Sequence, residues 1–196
     1  MKKILVTLAA ALLVCVCANA QFRVDVNAST TVYTVQGERS SYSLDTDLAP
    51  IVRAYTNIGG ERLGVELGLG FIQRKGLDSI GSMTSKKTIN SVEVPARLYF
   101  NIGLGDLLTI TPLVGVYGDY AFNGSVKTNE GGNSSPFEGP DAFKRLDYGT
   151  DNELMLTFGR HFTLGLGFQY SFCNVSESEY VNINAAAGYL GIGWKF

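Results

Sequence analysis

From Phe162 to Phe172 every even position is bulky and apolar: Phe162, Leu164, Leu166, Phe168, Tyr170 and Phe172. The odd positions hold Thr163, Gly165, Gly167, Gln169 and Ser171. Successive strand side chains point to opposite faces, so a period of two over this length predicts a strand and fits no helix face. The C-terminal segment repeats the pattern. Ala186, Gly188, Leu190, Ile192, Trp194 and Phe196 share one face; Ala187, Tyr189, Gly191, Gly193 and Lys195 share the other. Weaker versions run over 22–32, 48–58, 63–71, 92–100, 108–122 and 145–158. Eight strands result, each of roughly 9–15 residues, where about 9–11 cross a bilayer at a tilt. The connections alternate in length. Those at 58–62, 102–106 and 158–162 are short and glycine-bearing, while 36–47, 73–91, 123–144 and 174–182 are longer and polar. Three short turns and four long loops put both termini at the short-turn end. That is the layout of an all-β, eight-stranded antiparallel up-and-down transmembrane β-barrel, with short periplasmic turns and extracellular loops.

Alternation alone leaves open which face points outward, and a soluble lipocalin-like ligand-binding barrel shares the period. The less apolar face decides between them. It is crowded with glycine, at 64, 68, 70, 115, 149, 165, 167, 191 and 193. Small residues suit the inside of a narrow barrel and only weaken a solvent face. The same face carries Arg23, Asp25, Arg53, Glu66, Glu93, Arg97, Asp119, Arg145, Asp147, Asp151 and Glu153, charges of both signs that can pair across a lumen. The apolar face is nearly free of charge, as a lipid-facing wall must be when one Lys or Arg at the midplane costs roughly 2–4 kcal/mol. Aromatic residues gather at strand ends, among them Phe22, Phe100, Tyr120, Phe122, Phe158, Phe162, Phe172, Trp194 and Phe196. There they predict interfacial girdles.

Composition narrows the rest. Lys2 and Lys3 precede an apolar run ending near Val16, and Ala18-Asn19-Ala20 fits a cleavage site, so residues 1–20 read as a secretory signal peptide and residues 21–196 as one barrel domain. Without Lys2 and Lys3 the balance is 14 basic against 18 acidic residues, and the scattered basic groups argue against nucleic acid as a partner. Of the three cysteines only Cys173 lies outside the signal, which excludes a disulfide scaffold. His161, the single histidine, falls in a predicted short turn and reads as a turn residue. No catalytic set, metal site or cofactor is assigned. Asp147, Asp151 and Glu153 share one strand face and read as members of a lumen network with Arg23, Arg53, Arg97 and Arg145. Arg74, Lys75, Lys86 and Lys87 read as one basic loop able to touch lipopolysaccharide phosphates.

Val92-Glu93-Val94-Pro95-Ala96-Arg97-Leu98-Tyr99 resembles a strand of the PorT-like "porin family" outer-membrane β-barrel domain of Bacteroidetes-type bacteria. Phe143-Lys144-Arg145-Leu146-Asp147-Tyr148-Gly149 is similar to one of that family's strand openings, Gly159-Arg160-His161-Phe162 to its penultimate hairpin, and Tyr189 to Phe196 to its closing strand. The resemblance implies an eight-stranded barrel and a closing Trp194-Lys195-Phe196 read by the outer-membrane assembly machinery. It implies no shared activity. The sequence therefore predicts a non-enzymatic outer-membrane protein of structural or interaction role. Its loops are the contact surfaces, its partners are outer-membrane lipid, lipopolysaccharide and the assembly machinery, and no specific protein partner is named. A narrow porin-like channel for small solutes and the soluble barrel are the alternatives.

Overall fold

A strand in lipid cannot leave an unpaired edge, so a sheet that spans a bilayer must close on itself. The computed structural model describes residues 21–37, 41–44, 47–80, 83–129, 132–139, 142–177 and 181–196, and it shows that closure. The described residues form β1 (Gln21–Gly37), β2 (Ser41–Leu44), β3 (Ala49–Gly59), β4 (Leu63–Ile80), β5 (Met83–Phe100), β6 (Ile102–Leu104), β7 (Leu108–Thr128), β8 (Asn133–Ser134), β9 (Leu146–Phe158), β10 (Phe162–Ser171) and β11 (Val181–Lys195). Eight of these, β1, β3, β4, β5, β7, β9, β10 and β11, pair antiparallel in chain order, and β11 returns to β1 from Arg23↔Lys195 to Gly37↔Val181. The short β2, β6 and β8 extend hairpins at the rims. The signal peptide read over residues 1–20 lies outside the described residues.

The register fixes the barrel's dimensions. Phe22 pairs with Thr56, Thr56 with Leu67, Leu67 with Ala96, Ala96 with Val116 and Val116 with Thr150. Thr150 pairs with Tyr170, Tyr170 with Ala186, and Ala186 with Val32, so one circuit returns ten residues along β1. Ten residues of rise, about 33 Å, over eight strand spacings, about 38 Å, require a tilt of about 41° and a backbone radius of about 8 Å. At that tilt the ten steps from Phe162 to Phe172 cover about 25 Å of height, the apolar band of an outer-membrane barrel.

Burial alternates with the pleat. On β10 Thr163, Gly165, Gly167, Gln169 and Ser171 are buried, while Phe162, Leu166, Phe168 and Tyr170 are exposed. The exposed set continues round the wall as Val26, Val94, Leu98, Val114, Leu190 and Ile192. Charge lies inside and apolar surface outside, the reverse of a soluble barrel. Aromatic pairs mark both rims, Phe22 with Phe196 and Phe158 with Phe162 at the short-turn end, Phe71 with Phe122 and Tyr170 with Phe172 at the other. The tight turns use left-handed backbone at Gly105 (φ 72°) and Gly159 (φ 61°), where a Cβ would be strained.

One expectation is corrected. Residues 73–80 and 83–91, expected within a loop, are the outer parts of β4 and β5, paired from Gln73↔Asn90 to Ile80↔Met83, and β7 continues beside them to Thr128. These strands exceed the bilayer requirement by 7 to 10 residues, so the three-stranded sheet projects about 20–30 Å along the strands. Where the outward positions face water they become polar, as Gln73, Thr88, Asn90 and Ser125 do. The pleat goes on while its hydrophobic signal stops.

Candidate functional site

A barrel about 8 Å in radius brings every inward arginine to the axis. Ten of the eleven residues read as lumen charges are inside, each at 6 % exposure or less. Arg97 holds the centre. It pairs with Glu66 and Glu153 at 2.5 Å each and with Asp151 at 3.3 Å, and donates to the Tyr189 hydroxyl at 3.3 Å. Arg23 meets Asp25 at 3.1 Å, Glu66 at 3.2 Å and Glu153 at 3.6 Å. The Tyr55 ring lies between the two guanidinium groups, 4.5 Å from Arg23 and 4.4 Å from Arg97. Arg53 pairs with Glu93 at 2.8 Å and covers the Tyr189 ring at 4.7 Å.

The glycines make room for this layer. A Cβ on Gly68 would stand 2.6 Å from the Tyr55 ring, and one on Gly70 would stand 2.6 Å from Arg53 Cγ. Neither space exists for a side chain.

Arg145 is the exception. It precedes β9, is exposed, donates to the Ala121 carbonyl at 3.1 Å and covers the Phe137 ring at 4.1 Å. The chain leaves the sheet there, so strand parity does not carry the side chain inward. Arg74, expected in an exposed basic loop, takes its place. It is 5 % exposed, pairs with Asp119, and reaches Asp147 at 3.4 Å. Among the described residues the lumen thus buries four guanidinium groups and seven carboxyl groups. Neutral donors share the excess. Tyr117 donates to Asp147 at 2.9 Å, Ser171 to Asp147 at 2.5 Å, Tyr189 to Asp151 at 2.8 Å and Gln169 to Glu93 at 2.8 Å.

Both ends are shaped differently. At the long-loop end Phe143 caps the lumen in an apolar cluster with Tyr33, Ile89, Ala121, Val175 and Ile183. Its ring meets Tyr33 edge-on at 5.8 Å, and its backbone is tied to Pro136 and bridged to Ser176. The sequence signal for this cap was weak, since Phe143 sits in a glycine-rich connection. Half-buried Cys173 lies just inside, its thiol donating to Asp147 at 3.0 Å. Burial and that carboxylate push the thiol above its ordinary value. At the short-turn end a vestibule of about 570 Å³ opens between Glu61, Arg62, Asn101, Arg160 and Lys195. His161 stands on its rim, stacks on Trp194 at 5.2 Å and contacts the Lys195 carbonyl through Nδ1 at 2.8 Å, which requires the proton on that nitrogen. It anchors the closing strand and has no carboxylate partner among the described contacts. Among the described residues no group of three His, Cys, Asp or Glu is placed to hold a metal ion.

The family model for the outer membrane protein beta-barrel domain matches residues 6–196. The chain belongs to that family. Solved outer-membrane barrels at low sequence identity share this chain's fold. The attachment invasion locus protein Ail of Yersinia pestis is 12 % identical, with a TM-score of 0.50 over 91 % of this chain and 99 % of its own. Neisserial surface protein A is 15 % identical, with a TM-score of 0.50 over 89 % and 97 %. OprG of Pseudomonas aeruginosa is 12 % identical, with a TM-score of 0.50 over 90 % and 96 %. No curated protein sequence matches the chain. Family and fold together make it an eight-stranded outer-membrane β-barrel protein, and its family and fold neighbours are likewise outer-membrane barrel proteins.

Proposed function

We propose that this barrel is a non-enzymatic outer-membrane protein of structural or interaction role, with its long-loop end outside the cell as the contact surface. The observation that carries this reading is the filled lumen. Buried ion pairs meet across the axis around Arg97, and Phe143 closes the far mouth. The surface left for function is then the projecting β4–β5–β7 sheet and the loops beside it. The alternation of turn lengths supports placing the short turns and both termini in the periplasm. The girdle around Trp194 and Phe196 supports recognition of the closing strand by the assembly machinery. The charged, crowded interior argues against a lipocalin-like ligand cavity. Finer kinship with the PorT-like porin family rests on the segments 92–99, 143–149, 159–167 and 189–196.

Protease shaving of intact cells and planar-bilayer conductance test the reading together. Cleavage confined to the projecting sheet and loops, with no resolved conductance steps, is the expected result. Cleavage only after the outer membrane is opened would reverse the orientation. Sizeable single-channel steps would restore the channel.

A further inference from the structure

Above the lipid-facing belt the outward faces of β4, β5 and β7 turn from apolar to basic. On β4 the outward positions run Leu69, Phe71, Gln73, Lys75; on β5 they run Val92, Asn90, Thr88, Lys86. Lys127 of β7 stands directly opposite Lys86, and Lys75 pairs with Thr88, one diagonal step from Lys86. Directly opposed residues hold their Cβ atoms about 4.5–5.5 Å apart, where like charges repel. Among the described carboxylates Asp47 meets this group through its ion pair with Lys86, leaving a balance of two positive charges. From Phe71 to Lys75 the strand climbs about 10 Å at its tilt, which places the lysines at the level of lipid headgroups.

Below them the outer wall is not flush. A groove of about 510 Å³ crosses β3, β1, β11 and β10. Its floor is Ala28 and Pro50, paired across β1 and β3, and its walls are Leu48, Val26, Leu190 and Ile192. Lys75 Nζ donates to the Leu48 carbonyl at 2.8 Å, so an ammonium group stands at the groove's upper end. A charged head over an apolar channel is the shape of one molecule class.

We propose that Lys75, Lys86 and Lys127 bind the phosphate of a membrane lipid, one of whose acyl chains lies along Ala28 and Pro50. This rests on the outer-membrane reading and adds a ligand to it. The phosphate offsets the two positive charges that Asp47 leaves uncompensated, and the chain fills the apolar recess beside them.

The test folds the full chain into phosphatidylcholine nanodiscs and measures lipid retained after washing. The probes are diphosphorylated lipid A, the same lipid dephosphorylated, and inorganic phosphate as competitor. Retention of the phosphorylated lipid alone is expected, undisturbed by inorganic phosphate at equal concentration. A lysine near an anionic headgroup is worth roughly fivefold in affinity, so K75Q/K86Q/K127Q should lower retention on the order of a hundredfold. Ala28→Trp should block retention while leaving the heat-shifted gel band of a closed barrel. Equal retention by the triple variant, equal retention of the dephosphorylated lipid, displacement by phosphate alone, or a second copy of the chain over the groove would each overturn the site. The native-chain comparison of the two lipids decides the matter even where a variant does not fold. A native chain that forms no heat-shifted band in neutral nanodiscs would refute the membrane reading itself, a failure separable from loss of lipid selectivity.

Discussion

Replacing Arg97 by methionine removes the cation at the centre of the lumen while keeping much of its length. Three carboxylates lose a partner at once. Glu66 keeps Arg23 at 3.2 Å, Glu153 keeps Arg23 at 3.6 Å, and Asp151 keeps the Tyr189 hydroxyl at 2.8 Å. Tyr55 also loses one of its two stacked guanidinium groups. Breaking a buried ion pair from one side costs about 3–5 kcal/mol, because the abandoned charge stays out of water. Three abandoned charges with partial compensation belong in the upper half of that range. Urea unfolding in phosphatidylcholine vesicles, followed by fluorescence of the single tryptophan, Trp194, measures the loss. Adding Glu66→Gln to Arg97→Met should recover on the order of 1–2 kcal/mol, because an amide is cheaper to bury than an unpaired carboxylate. An Arg97→Met barrel within about 1 kcal/mol of the native one, or a second substitution that deepens the loss, would show that these groups do not form a dry, mutually dependent network.

Leu166 is 63 % exposed at mid-wall, so Leu166→Arg should cost roughly 2–4 kcal/mol and lower the inserted fraction in vesicle flotation. A Cβ on Gly167 would stand 2.0 Å from Cζ of the buried Tyr189 ring, so Gly167→Leu should abolish the heat-shifted band. Deleting Phe196 removes its ring contact with Phe22 at 5.9 Å and its backbone bond to the Phe22 carbonyl at 2.8 Å, and pulse-chase in cells should show slower appearance of the folded form. Cys173 carries a raised thiol value, so its reactive thiolate fraction should be small at neutral pH. Maleimide labelling of the folded barrel should speed up as pH rises, whereas pH-independent labelling would contradict the contact with Asp147.

The wall of the barrel was legible because lipid enforces the alternation. Wherever a strand crosses the bilayer, an apolar residue outside follows a glycine or polar residue inside, and β10 shows it along its length and β11 from Tyr189 to Lys195. The same rule explains what the sequence hid. Beyond the bilayer both faces are wet or loop-covered, so β4 and β5 past Ile72 carry no hydrophobic period and read as loop. Arg74 was misplaced with them. Parity counted from Arg97 or Glu93 stays true inside the membrane but fails at Arg145, where the chain has already left the sheet. Partner choice was beyond sequence for a different reason. Charges on one face can pair in many ways, and the ten-residue stagger decides that Arg97 meets Glu66 from the next strand and Glu153 from two strands away.

That stagger also separates stability from recognition. With eight strands and a radius of about 8 Å, inward side chains must fill the lumen, and in a protein interior they must be paired. Interior positions are therefore spent on closure: substituting them changes folding before it changes any contact with another molecule. The outward wall is constrained equally by lipid. What remains free to vary is the projecting sheet with Lys75, Lys86 and Lys127, the loops beside it, and the vestibule rim at Arg62 and Arg160. Variants at those positions should alter partners while leaving the unfolding free energy within the spread of ordinary surface substitutions, about 0.5 kcal/mol. A projecting-sheet lysine variant that unfolds as readily as Arg97→Met would show that the two regions are not independent.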